Sequence, residues 1–347
     1  MVTSTNNSDI KFGLHDNAER YCWVLYFLIG CLSSLIGDTL ILIASCREGA
    51  FKVNKLIVII LQHIAVSDLA CTVSATLPTA VSLLANSWVL GDALCFAGFY
   101  MRILAYPAGI ALIALLTSSK FLLLRYPLRA GSFAPKNVRL VCCFIWVFSL
   151  IHPILFLSVD KDDVHFSYTV YNCVYGFNED VWGGELKFLK AAVSLICFFV
   201  PVLVIVTTTI PTLKFLSGAK KSAKRVQGCV PRQGALTVVL TAAAFCISTL
   251  PATVYFIVDS LVKEELPAMF HIRFHRIAHF LMMINVMSNF YIYTLTIRSF
   301  RTFVFSKFMT IVPSSSHIMQ TMPSSAGKTQ IYFFAFDRLY ADGMMIN

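Results

Sequence analysis

Three ionisable side chains, Asp38, Asp68 and Arg102, lie inside long apolar runs of this chain. A carboxylate in apolar surroundings is costly to keep charged, so each acid needs a proton, a cation or hydrogen-bond donors. That suits an ion or proton site; the plainer alternative is two acids separately satisfied by amides and water. Arg102 needs an anion in the same way, either the acidic group of a ligand or a structural partner such as Asp92 or Asp259. A fourth group, Lys120, lies on the same apolar stretch, Cys95 to Leu128. At a helical rise of ~1.5 Å per residue, Arg102 and Lys120 are ~27 Å apart, close to the ~30 Å hydrocarbon thickness of a bilayer. Such a helix carries one charge near each membrane face. Cys95 and Cys173 fall outside the apolar cores, and in an oxidising compartment they can pair and tie a long loop across the mouth of a helix bundle.

The elements that position these groups follow from composition. With 57% hydrophobic and 13% charged residues and a mean hydropathy of +0.73, the chain is built for lipid, and counting domains by length does not apply. Seven apolar segments of spanning length occur at about 22–46, 55–85, 94–124, 138–158, 187–215, 235–260 and 272–297. Only helices fit such lengths, since lipid leaves no partner for an open backbone. The fold class is therefore an all-α membrane protein, a seven-helix bundle over residues 22–297. Residues 1–21 form a polar N-terminal segment with a sequon at Asn6; no apolar stretch precedes it, so the first span is expected to act as its own insertion signal. Residues 298–308 alternate basic and aromatic side chains, as a short helix on the inner membrane surface would. Residues 309–347, rich in Ser, Thr, Pro and Gly, read as a disordered tail, with an apolar patch at Ile331 to Phe336 that no motif explains.

The net charge of +10 does not point to nucleic acid, because the basic residues sit in short loops between apolar runs. The loops after the first, third and fifth segments hold Arg47, Lys52, Arg129, Lys136, Lys220, Lys221 and Arg225, whereas the opposite loops hold Asp92, Asp160, Asp162, Glu179 and Glu264. By the positive-inside rule the N-terminus is outside and the tail inside, in a multi-pass protein of the plasma membrane. Most of the 11 cysteines lie within apolar segments at spacings that suit no zinc or redox site. Neither a metal centre nor an enzyme motif is present, and Ile36-Gly37-Asp38 lacks the glycine pattern of membrane aspartyl proteases. No internal repeat with paired broken helices supports a transporter using Asp38 and Asp68 as an ion path.

An ordered set of motifs runs through the spans. It comprises LQHIAVSDLA with Asp68, Trp88 and Gly91 before Cys95, Trp146 and Pro153, FFVP ending at Pro201, Phe245 six residues before Pro251, NFYIY from Asn289 to Tyr293, and Phe300-Arg301. From Gly37 to Phe303 this set resembles the rhodopsin-like (class A) G-protein-coupled receptors. The resemblance implies that Asp38 and Asp68 face the bundle interior near Asn285 and Asn289, where they share a proton or bind a cation. A sodium ion at Asp68 is the one cofactor implied, and Gly109, where the family often has a serine, counts against it. Tyr293, Phe245 and Pro251 would be switch positions. Amine receptors place an aspartate where Arg102 stands, so a ligand with an acidic group is expected, in a positive outer cavity with Tyr106, Tyr255, Phe256, His275, Arg276, His279, Lys187 and Lys190. Retinal is excluded, because the seventh span has no lysine.

The departures fall on the signalling parts. Ser119-Lys120-Phe121 stands where the family has Asp-Arg-Tyr against a heterotrimeric G protein, and a lysine lacks the planar fork of arginine. Thr249 replaces the tryptophan of CWxP and Phe290 the proline of NPxxY. The reading is thus a cell-surface receptor that passes a conformational change inward. A seven-helix protein that binds without coupling, a scavenger or partner subunit, is the alternative. Serines and threonines of the tail resemble arrestin-read phosphorylation sites, and no cysteine after Cys246 offers a palmitate anchor.

Overall fold

A computed structural model describes residues 17–47, 49–51, 53–126, 134–159, 164–175, 195–221, 236–237, 239–251 and 268–311. Span one is Asn17–Ser45. Span two is Lys55–Ala85; Asn54 starts it by accepting a hydrogen bond from the Leu56 amide at 2.9 Å. Its helix is interrupted at Thr72–Thr76 by a π turn. Gly91, at φ +82°, reverses the chain into span three, Asp92–Arg125. Span four opens on a proline, which has no amide to leave unpaired, and runs Pro135–Ser149 and Ile151–Val159 around a break at Leu150. Span five is a π turn, Leu195–Phe199, followed by a helix, Val200–Lys221. Span six is described over Val239–Pro251, and span seven is Ala268–Thr296.

Five of these helices are long and apolar enough to cross a membrane as they stand. Span seven joins them when taken with the helix after it, Arg298–Ile311, toward which the chain bends by 104° at Ile297. Val239–Pro251 is the shorter apolar helix. Between spans four and five lies an antiparallel hairpin of β1, Val164–Ser167, and β2, Asn172–Tyr175, with Phe166 opposite Cys173.

Lipid tails are as apolar as leucine, so the bundle is held by close packing and polar ties rather than by expulsion of water. The larger core joins Ile41, Ile60, Ile110, Leu116, Phe245, Tyr293 and Phe300. Span three runs through its middle, burying Ala105 to Ile110 against its neighbours. A second core, at the hairpin, gathers Phe27, Leu83, Tyr171, Phe280 and Met283. Spans one and seven approach so closely at Gly37 that a Cβ there would overlap Phe290. Four residues earlier, the Ser33 hydroxyl lies 2.6 Å from that of Tyr291. The Trp146 indole N–H donates to His63 Nδ1 at 3.3 Å and ties span four to span two. Leu140, Phe144 and Val147 are turned outward, as lipid-facing side chains must be.

Candidate ligand and ion sites

The outer site begins with a disulfide. Cys95 at the head of span three is joined to Cys173 on β2, with Cα atoms 5.4 Å apart. About two turns further along span three, Arg102 donates from Nη2 to the Cys173 carbonyl at 2.6 Å. Its guanidinium carbon stands 5.7 Å from the centre of the Phe99 ring. The bond therefore goes to a backbone carbonyl rather than to Asp92; Asp259 lies outside the described residues. Arg102 Nη1 is buried and has no hydrogen-bond partner among the described residues. Arg276, 7% exposed, donates from Nε to the Thr169 carbonyl at 2.8 Å. The two arginines expected in the outer cavity thus hold carbonyls of the hairpin.

Deeper in the bundle, the Tyr106 hydroxyl lies 3.3 Å from Thr249 Oγ1, and its ring centre is 6.0 Å from that of Phe198. His152 of span four stands 5.9 Å from the same Phe198 ring, with its buried Nδ1 unpartnered among the described residues. His152 is not among the residues that the motifs single out, although a histidine next to Pro153 inside an apolar run is a visible signal. His275 and His279 are half-buried on span seven, His279 with its ring 6.3 Å from Phe280. Phe256, Tyr255, Lys187, Lys190 and the Asn6 sequon lie outside the described residues, as do the tail serines and threonines and the patch from Ile331 to Phe336.

At mid-depth the acids are wholly enclosed. Asp38 Oδ2 accepts from the Ser34 hydroxyl at 2.5 Å, and Thr72 Oγ1 lies 2.6 Å from Ser34 Oγ and 2.8 Å from the Asp68 carbonyl. Asp68 Oδ2 accepts from Asn289 Nδ2 at 2.6 Å. Span one is thus linked through Ser34 and Thr72 to span two, and span two through Asp68 to span seven. Asp38 Oδ1, Asn285 Oδ1, Asn289 Oδ1 and the Tyr293 hydroxyl are buried with no hydrogen-bond partner among the described residues. Gly109 leaves room for another hydroxyl: Ser67 Oγ would lie 2.6 Å from a Cβ there, and it donates to the Ala105 carbonyl. Ser34, Thr72 and Ser67 carried no signal of their own in the sequence, since hydroxyls are common in membrane helices.

At the inner end Lys120 is 8% exposed, between half-buried Ser119 and Phe121. Phe245 is fully buried in span six and Pro251 partly so. Thr237 Oγ1 donates to Thr296 Oγ1 at 2.9 Å, joining spans six and seven near this end.

Apolar helices in this order, a disulfide-anchored hairpin over span three and a polar centre shared by spans one, two and seven define a multi-pass helical membrane protein. The 7 transmembrane receptor (rhodopsin family) profile matches residues 37–293, and the chain belongs to that family. It is similar to the C3a anaphylatoxin chemotactic receptor of Oncorhynchus mykiss, 25% identical over 72% of this chain and 68% of that one. It is also similar to the human galanin receptor type 2, 24% identical over 66% of this chain, though the match spans only 57% of that receptor's length. The lysophosphatidic acid receptor 6 of Gallus gallus is 24% identical over 69% of this chain and 79% of its own. The family places the chain in the plasma membrane.

Proposed function

We propose that this receptor, with its N-terminus outside, binds an extracellular ligand that carries an acidic group and passes a conformational change inward to a heterotrimeric G protein. The observation that supports it most is Arg102 Nη1, a guanidinium nitrogen buried without a partner among the described residues while Nη2 is fixed in place. A buried, oriented donor with positive charge suits a carboxylate or phosphate. Tyr106, Phe198 and His152 one to two turns deeper suit an apolar body attached to that group. The lysophosphatidic acid receptor among the relatives is named for a ligand with this combination of phosphate and apolar chain. Binding would favour a state in which span six moves at its inner end about Pro251. A panel of anionic lipids and acidic peptides tests the reading. Arg102→Ala is expected to weaken binding of each active member about 10-fold or more, and unchanged affinity across the panel would overturn it.

Burial of Lys120 beside Ser119 favours a second reading, in which the receptor binds without coupling. G-protein activation by the native chain beside a Ser119→Asp, Lys120→Arg variant separates the two: signalling in the variant alone supports the non-coupling form, and equal signalling supports coupling through Lys120. Arrestin remains a candidate partner through the tail. The oxygens of Asp38, Asn285, Asn289 and Tyr293 left without partners among the described residues favour a proton or a sodium ion held between Asp38 and Asp68. Asp38→Asn is expected to abolish any sodium or pH dependence of ligand affinity; retention of both would remove the pair from the mechanism.

A further inference from the structure

The four residues from Tyr168 to Tyr171 join β1 to β2 and, with Asn172, descend into the helix bundle. Val170 and Tyr171 are 0% exposed and Asn172 is 1% exposed. Tyr171 adopts φ +51°, a left-handed conformation that costs a bulky side chain energy and persists where surroundings hold it. Its hydroxyl donates to Asn86 Oδ1 at 3.1 Å. Its ring stands 6.1 Å from Tyr168 and 6.3 Å from Phe166 and belongs to the core of Phe27, Leu83, Phe280 and Met283. The Asn172 amide donates to the Ala75 carbonyl at 3.1 Å and to Thr79 Oγ1 at 2.8 Å. Ala75 lies within the π turn of span two, where its carbonyl serves a donor from outside the helix. Arg276 takes the Thr169 carbonyl and Arg102 the Cys173 carbonyl, bracketing the unit at both ends.

This is how a receptor holds a peptide: an aromatic side chain in an apolar well with its hydroxyl met, an amide read at two atoms, and main-chain carbonyls taken by buried cations. We infer that the Tyr171-Asn172 unit is a ligand built into the chain, filling a site formed by spans one, two, three and seven, and that the site takes a phenol-amide peptide of the same chemistry when the turn is withdrawn. The proposal stands apart from the acidic ligand, which would meet Arg102 Nη1, whereas the hairpin takes Nη2 through the Cys173 carbonyl. Covalent attachment through Cys95 and Cys173 makes occupancy intramolecular, so a free peptide would compete only at concentrations on the order of mM.

Purified full-length receptor, native and Tyr171→Ala/Asn172→Ala, is heated with and without acetyl-Val-Tyr-Asn-amide at about 0.1 mM, below the concentration at which it would compete with the tethered turn. The variant is expected to unfold at lower temperature and to recover by at least about 3 °C with this peptide. Acetyl-Val-Ala-Ala-amide should leave it unchanged, and the native protein, its site filled, should respond to neither. Equal shifts in native and variant, or no recovery in a folded variant, overturn the proposal. If the variant does not fold, hydrogen exchange in the native receptor decides: amides 170–173 exchanging as slowly as those around Ala75 sustain it, and exchange at the rate of an unstructured peptide overturns it.

Discussion

At Gly37 a single hydrogen atom does what no side chain could, because the Phe290 ring occupies the space where a Cβ would stand. Phe290 is one of the residues that depart from the family pattern, and the glycine opposite accommodates its bulk. Gly37→Ala is expected to destabilise the receptor by about 1–3 kcal/mol through overpacking, read as a lowered unfolding temperature in detergent. Phe290→Ala combined with it should recover part of the loss, and a double-mutant cycle with no interaction term would show the two sites to be independent. In the sequence Gly37 marked only where the resemblance begins. Its task depends on which residue of span seven falls opposite, a pairing 253 positions apart that no local pattern encodes. The polar groups were legible to a different degree: Asp68 and Asn289 do bond to each other, while the hydroxyls that bridge Asp38 to span two carried no pattern.

Among the elements, span two depends most on a detail that periodicity cannot supply. Apolar length gave its extent, Lys55–Ala85, but the π turn at Thr72–Thr76 arises from tertiary fit. An extra residue in that turn rotates everything beyond it by about 100° relative to an unbroken helix. Thr79, beyond the turn, meets Asn172 in the register that rotation sets. Deleting Ala75 is therefore expected to break the bonds of Asn172, and faster exchange of the Cys173 amide, which now donates to Asn172 Oδ1 at 2.7 Å, would report it. Asn172→Ala, which leaves a buried Thr79 hydroxyl and the Ala75 carbonyl short of a donor, should cost about 1–3 kcal/mol. The hairpin itself was visible in the sequence only as a long loop with one cysteine, since its strands are too short for alternation to register.

For the molecule as a whole, hydropathy made the seven spans legible because lipid forces every backbone group into a helix. Which face of each span turns outward was less legible, since residues in contact with lipid and with the core are equally apolar. Span four shows the difference: Phe144 is 65% exposed and Cys142 fully buried, two residues away. Phe144→Asp is expected to cost about 2.5–3.5 kcal/mol on insertion scales, lowering the amount of receptor reaching the cell surface, whereas Phe144→Leu should be neutral. Equal surface levels for Asp and Leu would mean that this face is covered by something other than lipid.

Span seven carries Phe290 where a proline would otherwise interrupt it, and its helix runs unbroken from Ala268 to Thr296. Between His279 and Tyr293 it is a rod ~21 Å long with no joint in it. Such a rod cannot fold at its middle; it can only turn or slide, and the 104° bend at Ile297 makes it a crank. Rotation at the histidines near the outer mouth is expected to carry through to Tyr293, so spin labels at the two ends should report one angular displacement, equal in sense and in time.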